Sequence, residues 1–224
     1  MIITSWNCNL KLKEKYHHLD QFQSDIIIVQ ECEKLKDDHF ANNTYFWTGK
    51  NEKKGLGVLV KDKSTKISNC HNSNFVHFLP IETDDMNILG VWAYNHRAIK
   101  YGTQFDGSTL NAIEYYKDWL SSKDIGIVAG DFNNSIIWDK KNNSYFYDTN
   151  KKLNSLQFNS SYHEYTHDEF GEESDATFYH TKNRKKTYHI DYIFTKNTQT
   201  QSCEVGKYDD WIQYSDHCPI SIKI

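Results

Sequence analysis

Ile125-Gly126-Ile127-Val128-Ala129-Gly130-Asp131-Phe132-Asn133-Asn134 is an apolar run that meets a glycine and then sets Asp131 and Asn133 two residues apart. Alternate residues of an extended chain share a face, so both polar side chains project from one rim if the strand conformation continues. A strand, a Gly and an Asp also describe ordinary strand-to-loop exits. The company of this stretch gives it meaning. Four other apolar runs end in, or sit beside, the same oxygen- and nitrogen-bearing groups: Trp6-Asn7, Gln30-Glu31, His189-Ile190-Asp191 and Ser215-Asp216-His217.

Working outward, Ile2 to Asn7 reads as a first strand of β-branched and aromatic residues, closing on Asn7 and Asn9. Leu12, Tyr16, Leu19 and Phe22 or Gln23 recur at helical spacing, which predicts an amphipathic surface helix over 11–23 with His17 and His18 outward. Residues 25–31 form a continuous apolar run ending in a carboxylate, the pattern of a strand buried on both faces. Glu31 is then a sheet-edge carboxylate or, on the plainer reading, a solvated loop residue. Residues 55–60 and 86–94 give two more strands, with weaker signal around 65–69 and 75–79, and the short polar turns between them predict an antiparallel meander. The second of these ends in Tyr94-Asn95-His96-Arg97.

Ser108 or Thr109 can cap a helix whose apolar face is Leu110, Ile113, Tyr116 and Leu120. A short helix is expected over 151–158, with Thr149 or Asn150 as its cap, and 162–174, rich in His, Asp and Glu, reads as a loop. Residues 176–179 and 188–194 look like strands flanking a basic turn, and 218–224 alternates as a last strand. Many strands with two or three helices outside them make an α/β sandwich of packed sheets.

The 224 residues contain no Pro/Gly/Ser-rich linker and no repeat, so one domain over 1–224 is expected. Hydrophobic content is only 38%, but 6 Trp, 15 Tyr and 12 Phe carry large buried areas and can build the core. A net charge of −4 argues against affinity built mainly on neutralising many phosphates. It leaves room for a phosphodiester held through metal ions. Basic groups at 50–54 and at Lys182-Asn183-Arg184-Lys185-Lys186 are either solvated turns or substrate clamps. Five scattered cysteines without CxxC spacing point to reduced thiols rather than a zinc knuckle or disulfide framework. Met1 leads straight into a strand, which leaves no room for a signal peptide, and no apolar stretch approaches the roughly 20 residues of a membrane span. A soluble cytoplasmic protein with no membrane contact and no obligate protein partner is expected.

The polar strand ends gather into one set: Asn7, Asn9, Glu31, Tyr94, Asp131, Asn133, Asp191, Asp216 and His217. Carboxylates and amides with one recurrent His favour a hard, oxygen-preferring cation, Mg²⁺ or Mn²⁺, over zinc. Such an ion uses one or two carboxylates and keeps waters and a substrate phosphate as its other ligands.

Ser5-Trp6-Asn7, Gln30-Glu31, Gly130-Asp131-Phe132-Asn133, Ile190-Asp191-Tyr192 and Ser215-Asp216-His217-Cys218-Pro219 resemble, in order, the signature segments of the endonuclease/exonuclease/phosphatase, or DNase I-like, superfamily. The match runs from residue 5 to residue 219. The resemblance implies a four-layer α-β-β-α sandwich of two mainly antiparallel sheets with helices outside, and metal-dependent cleavage of phosphate esters. It implies roles as well. Glu31 would be the principal metal ligand, Asp216 a second metal-side carboxylate, and Asn7 and Asn9 would lie near metal and phosphate. Asp131 would position or deprotonate the attacking water, with Asn133 beside it on a phosphate oxygen. His217, polarised by Asp191, would contact the phosphate. Tyr94 matches a position near the scissile phosphate, or else closes a strand in the core.

Some residues depart from the abasic-site endonuclease branch. Cys32-Glu33 follow Gln30-Glu31 where that branch typically has Thr-Lys, and Asn95-His96-Arg97 replace its Pro and Asn. With no apolar wedge loop evident for opening a duplex, these departures argue against specialised DNA repair. The expectation is a Mg²⁺- or Mn²⁺-dependent phosphodiesterase, an endo- or exonuclease acting on DNA or RNA. The alternatives are a phosphatase or phosphodiesterase of a small phosphorylated molecule and a catalytically silent binding module on the same fold. Phe170, Tyr179 and Tyr188 either stack on bases or belong to the core.

Overall fold

The computed structural model describes residues 1–36, 40, 43–94, 108–140 and 145–224. Its strands are β1 (Ile2–Asn7), β2 (Ile26–Cys32), β3 (Thr44–Asn51), β4 (Lys54–Val60), β5 (Lys66–Ile67), β6 (Phe78–Glu82), β7 (Met86–Trp92), β8 (Ile125–Asp131), β9 (Phe158–Ser160), β10 (Phe178–Tyr179), β11 (Thr187–Tyr188), β12 (Asp191–Lys196), β13 (Ser202–Val205) and β14 (Ile220–Lys223). One six-stranded sheet runs β13-β14-β1-β2-β4-β3, the other β5-β6-β7-β8-β12-β9, and β10-β11 is a separate hairpin. Both large sheets are mainly antiparallel, each with one parallel pair, β1–β2 in the first and β7–β8 in the second.

Three apolar clusters show four layers. Ile3, Ile28, Val58, Leu79, Ile88, Ile127 and Ile193 fill the space between the sheets. Helix α1 (Leu12–Lys15), the 3-10 segment Tyr16–Phe22 and α5 (Tyr208–Trp211) cover the first sheet through Leu12, Leu19 and Trp211 against Trp6, Val29 and Leu59. Helices α2 (Thr109–Ser121) and α3 (Tyr145–Ser155) cover the second through Ala112, Ile113, Tyr116, Leu120, Phe146 and Leu153. A further short helix, α4 (Ser161–Thr166), buries Tyr162 in the inter-sheet cluster. This is the α-β-β-α sandwich that the resemblance implies. Among the described residues, no helix is long and apolar enough to cross a membrane.

Several local expectations change. The helix over 11–23 is one α-turn followed by a 3-10 stretch: Lys11 at the N-cap is left-handed and offers no side-chain cap, and residues 16–18 are aromatic or imidazole, with weak helix preference. His17 is exposed as expected, whereas His18 is half-buried, its ring 3.9 Å from that of Tyr214. The helix placed at 151–158 begins at Tyr145 instead, because the Asp139 carboxylate accepts from the backbone N–H groups of Phe146 (3.1 Å) and Tyr147 (2.8 Å). Thr149 and Asn150 therefore lie inside it, and Phe158 starts a strand. The loop at 162–174 opens with α4, and 188–194 divides into β11 and β12. The meander is interrupted, since β4 belongs to the first sheet and β5–β7 to the second. The weak signal at 75–79 is borne out at Phe78 and Leu79, which begin β6, whereas 75–77 form the turn that leads into it, closed by Phe78 N–H donating to the Phe75 carbonyl. Strands β3, β9 and β13 were not anticipated. Asn95, His96 and Arg97 lie outside the described residues.

Topology carries the polar residues to one rim. Parallel pairing sends the C-terminal ends of β1 and β2 the same way, delivering Asn7 and Glu31, and does the same for β7 and β8, delivering Trp92 and Asp131. Antiparallel pairing of β12 with β8 sets Asp191 directly opposite Asp131. Gly130 is what allows the close approach, for it has φ +149° and a Cβ there would overlap the Val91 carbonyl across the β7–β8 pair. Gly130→Ala should therefore destabilise the fold by about 3 kcal/mol, the range of a backbone clash at a strained position. A urea midpoint equal to that of the unsubstituted chain would contradict this.

Candidate active site

Asp131 is fully buried at the end of β8. Its Oδ2 accepts from Asn7 Nδ2 (3.0 Å) and Asn133 Nδ2 (2.8 Å), and its Oδ1 from the Asn133 backbone N–H (2.8 Å). Asn133 is left-handed (φ 48°), which folds its amide back onto the carboxylate two residues before it, and it also donates to the Ala93 carbonyl (3.1 Å). Asp191 Oδ2 holds His217 Nδ1 at 2.9 Å. Among the described residues Asp191 Oδ1 is buried without a hydrogen-bond partner, an acceptor that a cation or a water would satisfy.

Ligand atoms of Asp131, Asp191 and His217 all lie within 4.8 Å of one another, a grouping of two carboxylates and one imidazole. Burial, and then the charge of Asp191, push the Asp131 carboxyl up to about 7. His217 responds to opposite influences: burial pulls its pKa down, but the carboxylates of Asp191 and Asp131 and the hydrogen bond to Asp191 overcome this and raise it to about 9. At neutral pH a buried imidazolium therefore faces the two buried acids while Asp131 is partway through gaining its proton.

His217 is fixed from several sides. Trp6 Nε1 donates to its carbonyl (3.1 Å), its own N–H donates to Ser215 Oγ (3.0 Å), and Ser215 Oγ donates to the Asn7 carbonyl (2.7 Å). Phe178 of the hairpin packs on the imidazole with ring centroids 4.6 Å apart.

The remaining candidates form neighbouring groups on the rim. Asn9 N–H donates to Asn7 Oδ1 (3.1 Å) and Asn9 Nδ2 to Asp216 Oδ1 (3.2 Å), which joins Asn7, Asn9 and Asp216. Lys15, which sequence reasoning overlooked, clamps this loop by donating to the carbonyls of Cys8 (2.8 Å), Asn9 (3.3 Å) and Tyr214 (2.6 Å). Glu31 is the extra residue of a β-bulge between Gln30 and Cys32, with φ 58°, and its Oε2 pairs with Lys54 Nζ at 2.8 Å. Bulges re-aim side chains in this way beside active sites. Tyr94 is half-buried rather than sealed in the core. Its hydroxyl accepts from Lys50 (2.9 Å) and its ring lies 4.4 Å from that of His77.

Of the aromatic residues weighed for stacking, Phe170 is a core residue against Phe146, His163 and Tyr192. Tyr179 packs on Tyr208, and Tyr188 sits between Trp138 and Phe178. Phe178 beside His217 was missed because a two-residue strand gives almost no periodic signal.

Glu31 and Asp216 are partly exposed carboxylates, and Asn9 joins the amide oxygen of Asn7 to the carboxylate of Asp216. This donor set fits a hard divalent cation that keeps part of its water shell. The model of the Endonuclease/Exonuclease/phosphatase family matches residues 4–217. The chain belongs to that family. Its members are metal-dependent phosphoesterases and nucleases, and this member is a hydrolase of phosphate esters. No curated protein matches it. Among solved structures, the family member resembles a 3'-5' exonuclease (NExo) from Neisseria meningitidis with a TM-score of 0.73 and 18% identity, covering 100% of this chain and 99% of that one. An AP endonuclease from Archaeoglobus fulgidus gives 0.74 and 16% over 100% and 99%, and the catalytic domain of Xenopus laevis APE2 gives 0.72 and 14% over 100% and 91%. Likeness at these identities establishes a shared fold.

Proposed function

We propose that this family member is a Mg²⁺- or Mn²⁺-dependent nuclease that cleaves DNA or RNA by attack of water on phosphorus. The observation that supports it most is the Asp131–Asp191–His217 group, in which the Asp131 carboxyl and the His217 imidazole are both raised, to values that suit different tasks near neutral pH. Asp131, with its pKa raised to about 7, suits a general base that takes the proton of the attacking water near neutral pH. His217 stays an imidazolium to about pH 9. Its Nδ1 is taken by Asp191, so Nε2 is the nitrogen that donates to a nonbridging phosphate oxygen and stabilises the charge that develops there. Asn7 and Asn133 orient Asp131 through their Nδ2 donors. The phosphate contact that the resemblance implies for Asn133 would require one of its two bonds, to Asp131 or to Ala93, to open. Glu31 and Asp216, with Asn7 and Asn9 alongside, would hold the cation, which when bound neutralises charge on the phosphate oxygens.

A polynucleotide is the favoured substrate because the β10–β11 hairpin carries exposed Lys182, Arg184, Lys185 and Lys186 on a stem whose Phe178 touches His217. Basic side chains follow a phosphate backbone, and an aromatic face beside the reacting phosphate can carry a base. Proteins of the same fold include the Neisseria exonuclease and a Neisseria 3' phosphatase bound to a product DNA hairpin. The five free thiols, three of them buried, suit the reducing cytoplasm.

The test is incubation of purified protein with labelled single- and double-stranded DNA and RNA, and with bis-p-nitrophenyl phosphate, in Mg²⁺, Mn²⁺ or EDTA, beside Glu31→Ala and His217→Ala. Metal-dependent polymer cleavage lost in both variants is expected. Turnover of the small ester without polymer cleavage would replace the nuclease by a small-phosphoester hydrolase, and no turnover in any metal would leave a binding module.

A further inference from the structure

Lys54 opens β4 at the site mouth, and the bulge that turns Glu31 out of the β2–β4 ladder turns it toward this lysine. The ammonium sits 2.8 Å from Glu31 Oε2 and 5.2 Å from the ring centroid of Trp92, the residue of β7 that lies opposite Asp131. Lys54 therefore spans the two sheets, with a carboxylate on one side and an aromatic face on the other. Glu31 is only 21% exposed, so its carboxylate has little solvent to turn into and one well-placed cation dominates its surroundings.

We propose that Lys54 is a positioning residue that competes with the divalent cation for Glu31, so that metal binding proceeds by exchange: the ammonium leaves the carboxylate as the cation takes it. This rests on the reading of Glu31 as a metal ligand. The lysine end of the pair is 41% exposed, so water can take up the ammonium as it leaves, and ion pairs in contact with solvent are weak enough to open. A dication gains more from the same carboxylate than a single charge does. The pair thus orients Glu31 beforehand while lowering its apparent affinity for metal. Trp92 gives the displaced side chain a surface to rest on, since lysine stems lie well along aromatic faces.

The direction of the effect separates this from a merely structural role, because loss of a supporting residue weakens metal binding whereas loss of a competitor strengthens it. Titration of the substrate-free protein with Mn²⁺, followed by calorimetry and by the electron paramagnetic resonance of free Mn²⁺, should show Lys54→Met binding about fivefold more tightly than the unsubstituted chain, the scale of one exposed ion pair. Lys54→Arg, which restores the charge, should return the affinity to its original value. Unchanged or weaker binding in Lys54→Met would overturn the proposal, as would an Arg variant that binds as tightly as the Met variant. Glu31→Gln is the control on the underlying reading. If it keeps the original Mn²⁺ affinity, Glu31 is not the ligand. If it loses Mn²⁺ while Lys54→Met matches the unsubstituted chain, the competition alone is refuted.

Discussion

Asp131→Asn should lower kcat by roughly 1,000-fold, within the span that positioned general bases contribute, while KM changes little. Asparagine keeps the shape and an amide oxygen able to accept from the Asn133 backbone N–H, the bond that holds Oδ1 now. What it loses is the ability to take a proton. Its new NH₂ would also face Asn7 Nδ2 and Asn133 Nδ2, two donors that both point at the present Oδ2, so the amide network must rearrange around it. Steady-state kinetics on a labelled oligonucleotide measures the effect. A variant within tenfold of the unsubstituted enzyme would remove Asp131 from the role of base.

The second large effect is a pH profile with two limbs and its selective loss. Asp131 acts without its proton, so activity should rise as pH increases through about 7. His217 acts with its proton, so activity should fall as pH increases through about 9. The maximum therefore lies between them. His217→Gln keeps a hydrogen-bond donor but no titratable charge. It should lower kcat about 100- to 1,000-fold, the cost of removing a donor from developing charge, and should abolish the upper limb while keeping the lower one, moved to higher pH because the imidazolium no longer lowers the Asp131 carboxyl. An upper limb that persists in the Gln variant would assign it to another group. A profile for the unsubstituted enzyme that falls as pH increases through about 7 would invert the proton assignment.

The strands that feed this site were legible because burial on both faces leaves a plain mark. Residues 26–29 and 126–129 carry no polar side chain and are buried strand interiors. The pairing of His217 with Asp191 and the place of Asn133 beside Asp131 were legible only through the family resemblance, and the bond from Asn7 to Asp131 emerged from the structure. Edge elements were harder to read. β3, β9 and β13 alternate weakly or are very short, and their pairing partners decide them. The start of α3 depended on Asp139, several residues upstream and invisible to a search for a local cap. Lys54 read as part of a basic turn because nothing in the local pattern shows that a bulge in another strand aims Glu31 at it. Lys15 was hidden likewise: its three carbonyl partners come from residues 8, 9 and 214.

The cross-strand register of β8 and β12 has a further consequence. It fixes Asp131 and Asp191 face to face, both fully buried, and the backbone ladder prevents their drifting apart. Like charges so placed oppose folding unless a proton, an imidazolium or a cation answers them. Robustness and turnover thus pull against each other at a single rung of the sheet. A descendant that abandoned catalysis and kept only recognition could relieve this opposition by trading one of the two carboxylates for a neutral group, provided that the donors of Asn7, Asn133 and His217 that now meet those carboxylates were re-paired at the same time.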